Sequence, residues 1–592
     1  MVLAAARSGD SSAYDLVVVG AGGAGMAAAL FAAIEGLSVL LIEKSEYVGG
    51  STALSAGVAW IPMNHLAATV GANDSFEKAA GYLDRVVGNY ASEDMRRSFL
   101  KNGPRAIALL DEHSHVKLRA FAHHPDYMSD VDGATLCGRA LEPLPFDGRL
   151  LGDAFALVRP PIPEFTILRG MMVDRTDIGH LLAAAKSWTS FRHVLGIFTR
   201  HARDRLSYRR GTRLVMGNAL VGRLLLSLIE RRVPIWTRTA IDGFKLIDGR
   251  IVRLSLACGD RRIDVQARFG VILASGGFNR NPELRAKLVT AAPTFPAGAP
   301  GQSGEAIVLA LAAGARIAER QFENVFWSPV SVRTRRDGST AVFPHLVLDR
   351  GKPGTVVVNA MGRRFVNEAT SYHLFGRAMI LAHERAPSIP AFLIADRRAL
   401  KTYGLGMVRP GGYGLKRFLS DGYLVRACTL RDLAGVLGID PQGLEQTIAR
   451  MNDYARRGVD LEFGRGSTAY QRNLGDPNVG PNPTLGAIAT PPFYAVRIYP
   501  GDIGASAGIV TDTHARVLAG DGAPIEGLYA IGNDMASVMG GTYPGPGITI
   551  GPALTFAYVA VRHAAGRART ARPSSDPARS GENAPLQFGT GR

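Results

Sequence analysis

The sequence predicts an α/β protein in which a parallel-sheet domain opens the chain, is interrupted by an α+β domain, and is completed near the C-terminus. Three observations predict this. A strand–helix–strand unit stands at the N-terminus, and its connection requires a parallel sheet. From about residue 322 the texture changes to short strands and turns. From residue 525 a buried-type strand, IEGLYAIGN, returns ahead of a long apolar run.

Each element follows from its pattern. YDLVVVG (14–20) is an apolar, β-branched run ending in glycine, the signature of a strand buried on both faces. AGMAAALFAAIEG (24–36) has apolar residues at helical spacing, and SVLLIEK (38–44) is a second buried strand. FGVILASGG (269–277) is a later strand closing on glycines, and GEAIVLALAAGA (304–315) is a helix that glycine ends. The expected division is a flexible N-terminus at 1–13, the first part of the sheet domain at 14–321 and the inserted domain at 322–498. The second part of the sheet domain follows at 499–565, then a disordered tail at 566–592, rich in Arg, Ser, Pro and Gly. A domain inserted in this way lies over the one it interrupts, and small ligands bind in the cleft between such domains.

Composition sets limits on function. With 46% apolar and 20% charged residues, the 592-residue chain is globular and large enough for two cores. The net charge of 68 − 51 = +17 suits an anionic ligand or surface. No zinc-finger, basic-zipper or RNA-binding signature accompanies it, so nucleic acid is not expected. The excess is partly local: residues 186–213, KSWTSFRHVLGIFTRHARDRLSYRRGTR, hold eight Lys or Arg and one Asp. Phe191, Val194, Leu195 and Phe198 are spaced to share one helical face. Two readings stay open, an interfacial helix resting on anionic lipid and a solvated helix docked on its own domain. Cys137, Cys258 and Cys428 are too scattered for a disulfide framework. His113, His115, His123 and His124 lack ligand spacing, so no metal is expected. The N-terminal apolar run is too short for a signal peptide, and no run reaches the roughly 18 residues of a membrane span. The expected location is cytoplasmic; only the first of the two readings of 186–213 adds peripheral contact at the inner face of the cell membrane.

Chemistry enters at GAGGAG (20–25). The GxGxxG pattern follows a strand, opens a helix, and is followed about 20 residues on by an acid, Glu43, which together make the Rossmann dinucleotide fingerprint. Gly20 permits the tight turn, Gly22 lets the backbone approach the pyrophosphate, and Gly25 lets helix and strand pack closely. The N–H groups at the helix start, including that of Gly23, attract phosphate. Glu43, with Lys44 beside it, accepts ribose hydroxyls. VGGSTALSAGVAWIP (48–62) offers Gly50, Ser51 and Thr52 to a cofactor extending past its adenine half. Ala274 and Gly276 close one strand, Gly532 and Asn533 close another, and Thr549 and Ile550 begin the last apolar run. One cofactor reaching all of these is a long one.

TYPGPGITIGP (542–552) sets a single tyrosine, Tyr543, among prolines and glycines. With it, GxGxxG, GGST (49–52), YPGDIG (499–504), DTHARVL (512–518), GLYAIGN, SVMG and TIGPALTFAY resemble the flavoproteins of the fumarate reductase and 3-ketosteroid dehydrogenase superfamily. The nearer resemblance is to the 3-ketosteroid Δ1-dehydrogenases. It covers most of residues 14–565 and is weakest between about 145 and 215. It implies FAD as cofactor, a Rossmann-type FAD-binding domain interrupted by an α+β catalytic (capping) domain, and conversion of a 4-ene-3-ketosteroid to the 1,4-diene-3-one.

The resemblance also implies roles. Tyr543 and Gly547 grip the C3 carbonyl, a phenol O–H and a backbone N–H aimed at one oxygen as an oxyanion-hole pair. Pro544 and Pro546 fix the turn, and Gly545 and Gly547 keep side chains out of the oxygen's path. Tyr372, in GRRFVNEATSYHLF (362–375), takes a proton from C2 while C1 gives a hydride to flavin N5. A phenol with its free pKa of about 10 needs activation for this. Tyr127, in HHPDYMSD (123–130), is the helper; many relatives carry two adjacent tyrosines where this chain has Tyr127–Met128. An external acceptor, a quinone or similar, reoxidises the flavin. Trp60, Phe326 and Trp327 are candidate walls of an apolar substrate slot. The chain departs from the family at GQSGEA (301–306), which has no acid before Glu305. Rival readings are a Δ4-(5α)-type dehydrogenase, another ene-forming or ene-reducing enzyme of the superfamily, and a non-catalytic flavin-binding redox sensor or carrier. A fumarate-type site needs Arg and His groups, and Arg364 and His373 give no match to it.

Overall fold

The computed structural model describes residues 13–289, 294–318 and 320–571. Residues 1–12 of the flexible N-terminus expected at 1–13, and residues 572–592 of the tail expected at 566–592, lie outside the described residues. Ala13 already begins the first strand, and the last helix, Ile550–Ala571, carries 566–571, which were expected in the tail.

The first sheet is built around the N-terminal strand. Ala13–Val19 pairs in parallel with Val39–Ile42 on one side and with Arg261–Leu273 on the other. Ile235–Trp236 extends the sheet beyond Val39–Ile42, and Pro524–Ala530 pairs in parallel with Arg261–Leu273. Strands some 250 and 510 residues downstream thus complete the sheet that the first strand began. Leu16, Val17 and Val18 are wholly buried, which is why these strands read as unbroken apolar runs instead of alternating ones. The helices Gly23–Ile34 and Ile550–Ala571 pack together, with Phe31 edge-on to Tyr558 at 5.6 Å.

Two glycines of the loop are steric necessities. A Cβ on Gly25 would lie 1.8 Å from the Gly20 carbonyl oxygen, so only glycine lets the helix start this close to the strand. Gly20 has φ +104°, and a Cβ there would lie 2.4 Å from the Ala274 carbonyl oxygen.

The second sheet is mostly antiparallel and is centred on Phe493–Ala505. That strand pairs with Val325–Thr334, Ala391–Ala395 and Leu424–Ala427. It also takes in the short strand Phe295–Pro296, and it holds the chain until Ala505, past the return expected at 499. Helices Tyr372–His383 and Pro441–Arg457 pack on this sheet with cores of their own.

Residues 145–213 form short strands, 3-10 turns and two helices, Arg175–Ala183 and Trp188–Ser207. The anticipated single apolar face of the second helix divides. Phe198 is half-buried against Met171, Val173 and Ile197, while Phe191 and Leu195 face outward beside Trp188.

Candidate active site

One cleft gathers most of the residues singled out in the sequence. It is lined by Gly20, Gly22, Gly23, Glu43, Lys44, Gly50, Ser51, Thr52, Ala274, Gly276, Gly532, Asn533, Thr549 and Ile550. Tyr127, Tyr372, Tyr543 and Gly547 line it as well. Gly25 does not; it sits in the packing seam already described.

At one end the loop opens a helix. Gly22 is its N-cap, and a Cβ there would meet no atom within 4 Å. The space over Gly22 belongs to the cleft, as a pyrophosphate needs. The Glu43 carboxylate accepts from the Ala21 N–H (2.9 Å) and the Ser45 N–H (2.9 Å), which fixes it at the rim of this end. Thr52 Oγ1 accepts from the Gly23 N–H at 3.2 Å, and Ser51 Oγ accepts from the Ala299 N–H at 2.8 Å. Lys44 Nζ pairs with Glu305 at 2.8 Å and with Ser303. That pairing holds Glu305 below the ordinary carboxylate range against its burial and puts the acid of the GQSGEA turn at the cofactor rim.

Asp534, unmarked in the sequence, ties the two distant glycine turns together. Its buried carboxylate accepts from the N–H and hydroxyl of Ser275 and from the Gly277 N–H (2.8 Å). Burial pushes its pKa up. These groups suit a dinucleotide flavin: a bare glycine loop at a helix start, an acid beside it, and backbone from four remote segments along one cleft.

At the other end three phenols converge. Tyr127 and Tyr372 hydroxyls are 3.3 Å apart. The Tyr543 ring stacks on Tyr127 with centroids 5.6 Å apart and meets Tyr372 edge-on at 5.0 Å. Tyr372 occupies the first turn of its helix, where Ser371 Oγ caps the Leu374 N–H. Burial, reinforced by the neighbouring phenols, raises the pKa of Tyr372 and of Tyr127 well above that of a free tyrosine. Burial raises Tyr543 as well. Tyr470, 4.6 Å from Tyr127 between ring centroids, is pushed up to about 12 by burial. The cation facing this group is Arg350, fully buried and donating to the His345 and Leu346 carbonyls, each at 3.0 Å. Its charge favours the ionised form of Tyr127 and of Tyr470. Neither Tyr470 nor Arg350 carries a local motif; only the fold brings them to the site.

The turn around Tyr543 is held differently from expectation. The Pro544 carbonyl accepts from the Tyr127 N–H (2.9 Å) and the Tyr82 hydroxyl (2.7 Å). A Cβ on Gly545 would lie 2.5 Å from Trp60 Nε1, and one on Gly547, at φ +92°, 2.3 Å from the Val58 carbonyl oxygen. Both glycines are required by contact with residues 58–60. The Gly547 N–H has no partner among the described residues, so it remains available as a donor.

The candidate walls Trp60, Phe326 and Trp327 are core residues. Trp60 is wholly buried and donates to Asp126 at 2.7 Å, Trp327 donates to Glu323 at 2.9 Å, and Phe326 supports the Tyr543 ring edge-on at 5.3 Å. The cleft is walled instead by Leu54, Val58, Leu346, Val347 and Ile503. Arg364 is locked between Glu368 and Asp460 at 2.7 and 2.8 Å. His373 accepts from the Trp327 N–H (3.1 Å), and burial pulls its pKa down to about 3. Both are structural. Among the described residues no group of His, Cys, Asp and Glu is arranged to hold a metal ion.

The chain is similar to known proteins. The chain matches the FAD binding domain family over residues 15–550. It is 37% identical to a 3-oxosteroid 1-dehydrogenase of Mycolicibacterium smegmatis, covering 94% of this chain and 98% of that one. It is 39% identical to a 4-oxocyclohex-2-ene-1-carboxylate 5-dehydrogenase of Sinomonas cyclohexanicum, covering 94% and 95%. The crystal structure of the 3-ketosteroid Δ1-dehydrogenase from Sterolibacterium denitrificans, with 1,4-androstadiene-3,17-dione, superposes with a TM-score of 0.86 at 36% identity over 94% of this chain and all of that one. A 3-ketosteroid Δ4-(5α)-dehydrogenase from Rhodococcus jostii shares the fold alone, with a TM-score of 0.63 at 19% identity over 95% of this chain and all of that one. A match to the FAD binding domain family over most of the chain, with similarity to these dehydrogenases over 94% of it, places the protein in that family, as an FAD-dependent oxidoreductase of CH–CH bonds.

Proposed function

We propose that this protein removes the 1,2-hydrogens of a 3-ketosteroid, converting a 4-ene-3-one to a 1,4-diene-3-one. One observation carries the reading: Tyr372, Tyr127, Tyr543 and Gly547 meet on a cleft walled by Leu54, Val58, Leu346, Val347 and Ile503. In this reading the Tyr543 hydroxyl and the Gly547 N–H bind the C3 oxygen and stabilise the negative charge that grows there as C2 loses its proton. Tyr372 receives that proton, and Tyr127, 3.3 Å away, shares the resulting charge by hydrogen bonding. When bound, FAD supplies the acceptor for the hydride that leaves C1. The C1 and C2 hydrogens thus depart as hydride and proton, and the C1–C2 double bond takes the electron pair of the C2–H bond. Two electrons per turnover pass on to an external acceptor of the quinone class.

The relative that acts, by its name, on a monocyclic keto acid supports a second reading. The electrostatics favour the steroid. A keto acid needs a cation for its carboxylate. Among the described residues the Lys and Arg that line the cleft are Lys44 and Arg159, on the Glu43 side in contact with Glu305 and Ser45, while Arg350 stands behind the lining and donates to backbone carbonyls. His124, near Tyr127, has its pKa pulled down to about 4 by burial and is neutral at pH 7. An uncharged, hydrocarbon-rich ketone fits such walls. The experiment is an anaerobic visible spectrum of the holoprotein on adding 4-androstene-3,17-dione or 4-oxocyclohex-2-ene-1-carboxylate. Rapid bleaching by the steroid, with 1,4-diene product, is expected; faster bleaching by the keto acid would overturn the steroid reading.

The same proposal includes contact with an anionic membrane surface through 186–213. Trp188, Phe191 and Leu195, at 72%, 44% and 51% exposure, share one outward face, and Lys186, Arg192, Arg203 and Arg205 surround it. Among the described residues no helix is long and apolar enough to cross a membrane. Contact of this kind gives both a sterol and a quinone a short route from lipid to cleft.

A further inference from the structure

We propose that Arg159 holds the adenosine half of FAD, so that the stretch least like the family, about 145–215, serves cofactor retention. The proposal rests on the FAD reading and is independent of the substrate.

The backbone delivers Arg159 to this place. Residues 157–159 run beside Val48, whose N–H donates to the Leu157 carbonyl (2.8 Å) and whose carbonyl accepts from the Arg159 N–H (3.0 Å). Val48 follows closely on Glu43, the acid at the ribose end of the cleft. Arg159 therefore enters next to Glu43, and it lines the cleft together with Thr239, Ala240 and Ile241. Arg210 secures this segment. Its guanidinium donates to the Val158 carbonyl (3.0 Å) and to Asn218 Oδ1 (2.9 Å) and lies over the Phe155 ring.

The Arg159 side chain is only partly committed. Nη2 donates to Ser45 Oγ at 3.0 Å, and the guanidinium lies 5.6 Å from the Tyr47 ring centroid. Nε is buried and has no hydrogen-bond partner among the described residues. The guanidinium carries more N–H donors than the one given to Ser45, and on the side that lines the cleft a ligand oxygen or ring nitrogen can accept from them. A guanidinium is also planar and stacks on aromatic faces, which suits an adenine ring. Arg210 differs in having two protein acceptors for its charge. Glu43 remains the acid of the ribose hydroxyls, so the pair would read the adenosine from two sides, carboxylate to hydroxyl and guanidinium to base.

The test compares two flavins that differ in the adenosine half. Apoprotein is titrated with FAD and with FMN, and binding is read from the quenching of flavin fluorescence. For Arg159→Met the FAD Kd should rise about tenfold to hundredfold, the loss of one hydrogen bond to a charged group. The FMN Kd should stay unchanged. An FAD Kd within about twofold of wild type, or an equal loss for both flavins, would overturn the proposal. A second measurement needs no variant. Phenylglyoxal should label Arg159 in wild-type apoprotein, read by peptide mass spectrometry, and FAD but not FMN should protect it. Equal labelling with and without FAD also overturns the assignment. Wild-type apoprotein that binds neither flavin would instead refute the FAD reading on which the proposal rests.

Discussion

At the scale of single residues the phenol cluster sets the behaviour with pH. In the resting protein nothing ionises Tyr372: burial and two neighbouring phenols all hold its proton on. The base form is scarce at neutral pH, so proton removal from substrate is expected to speed up as pH rises into the alkaline range. The opposing limit has the same origin. Tyr127, Tyr372 and Tyr543 all have raised pKa values in the fold. A raised value contributes stability that is fully present below the ordinary phenol pKa of about 10 and is lost as pH climbs above it. Stopped-flow bleaching against pH should therefore rise with pH, while the melting temperature starts to fall near the pH at which free tyrosine ionises. For Tyr372→Phe, loss of the base should lower the bleaching rate about 100-fold to 10,000-fold and remove the alkaline rise. Bound FAD and its spectrum should be retained. Unchanged bleaching in that variant would remove Tyr372 from the chemistry.

Elements differ in how far the sequence announces them. The first strand, its helix and the glycine loop are legible because their causes are local. Burial on both faces makes the strand continuously apolar, and the close approach of Gly25 to Gly20 admits no side chain. The TYPGPG turn is legible as a site, yet its glycines answer to Val58 and Trp60, neighbours almost five hundred residues upstream. Trp60 and Trp327 look like slot walls in sequence and prove to be core, because an aromatic run does not say which of its faces meets solvent. Asp534, Arg350 and Arg159 have no motif; each acquires its place from contacts across the fold. The helix Trp188–Ser207 was legible only as two alternatives, and its outward Trp188–Phe191 stack, with centroids 5.4 Å apart, now separates them experimentally. Co-sedimentation with vesicles containing anionic lipid should exceed that with neutral vesicles and weaken with added salt. The double variant Trp188→Ser, Phe191→Ser should lose most of the bound fraction while bleaching with steroid in solution is kept. Equal sedimentation of variant and wild type would assign the helix to its own domain's surface.

Across the whole molecule the candidate cofactor site is a place where the chain repeatedly returns to itself. The glycine loop, the 49–52 turn, the 274–277 turn, the 532–534 turn and the start of the last helix reach it from five separate segments. Among the described residues these segments are joined directly by Asp534, by the Gly23 N–H donating to Thr52 Oγ1 (3.2 Å), and by backbone hydrogen bonds such as that between the Gly49 N–H and the Ala21 carbonyl (2.7 Å). Gly22, Gly23 and Ala24 line the cleft at the helix start, and the space over Gly22 is open, so a ligand spanning them supplies contacts that the chain does not make with itself. A ligand that binds only the folded form stabilises it by mass action, by about 2.7 kcal/mol at one hundred times its Kd. Apoprotein should therefore melt several degrees below holoprotein, and added FAD should restore the difference in proportion to the logarithm of its concentration. FMN should restore less, because it reaches the flavin end of the cleft without bridging to the Gly20 loop and Glu43. Because the sheet of the first domain is closed by strands from both ends of the chain, the gain should extend to it as well as to the site. Hydrogen exchange in Ala13–Val19 and Pro524–Ala530 should slow together when FAD binds. Slowing in one strand without the other would mean that the cofactor holds only half of the domain and that the two parts unfold separately.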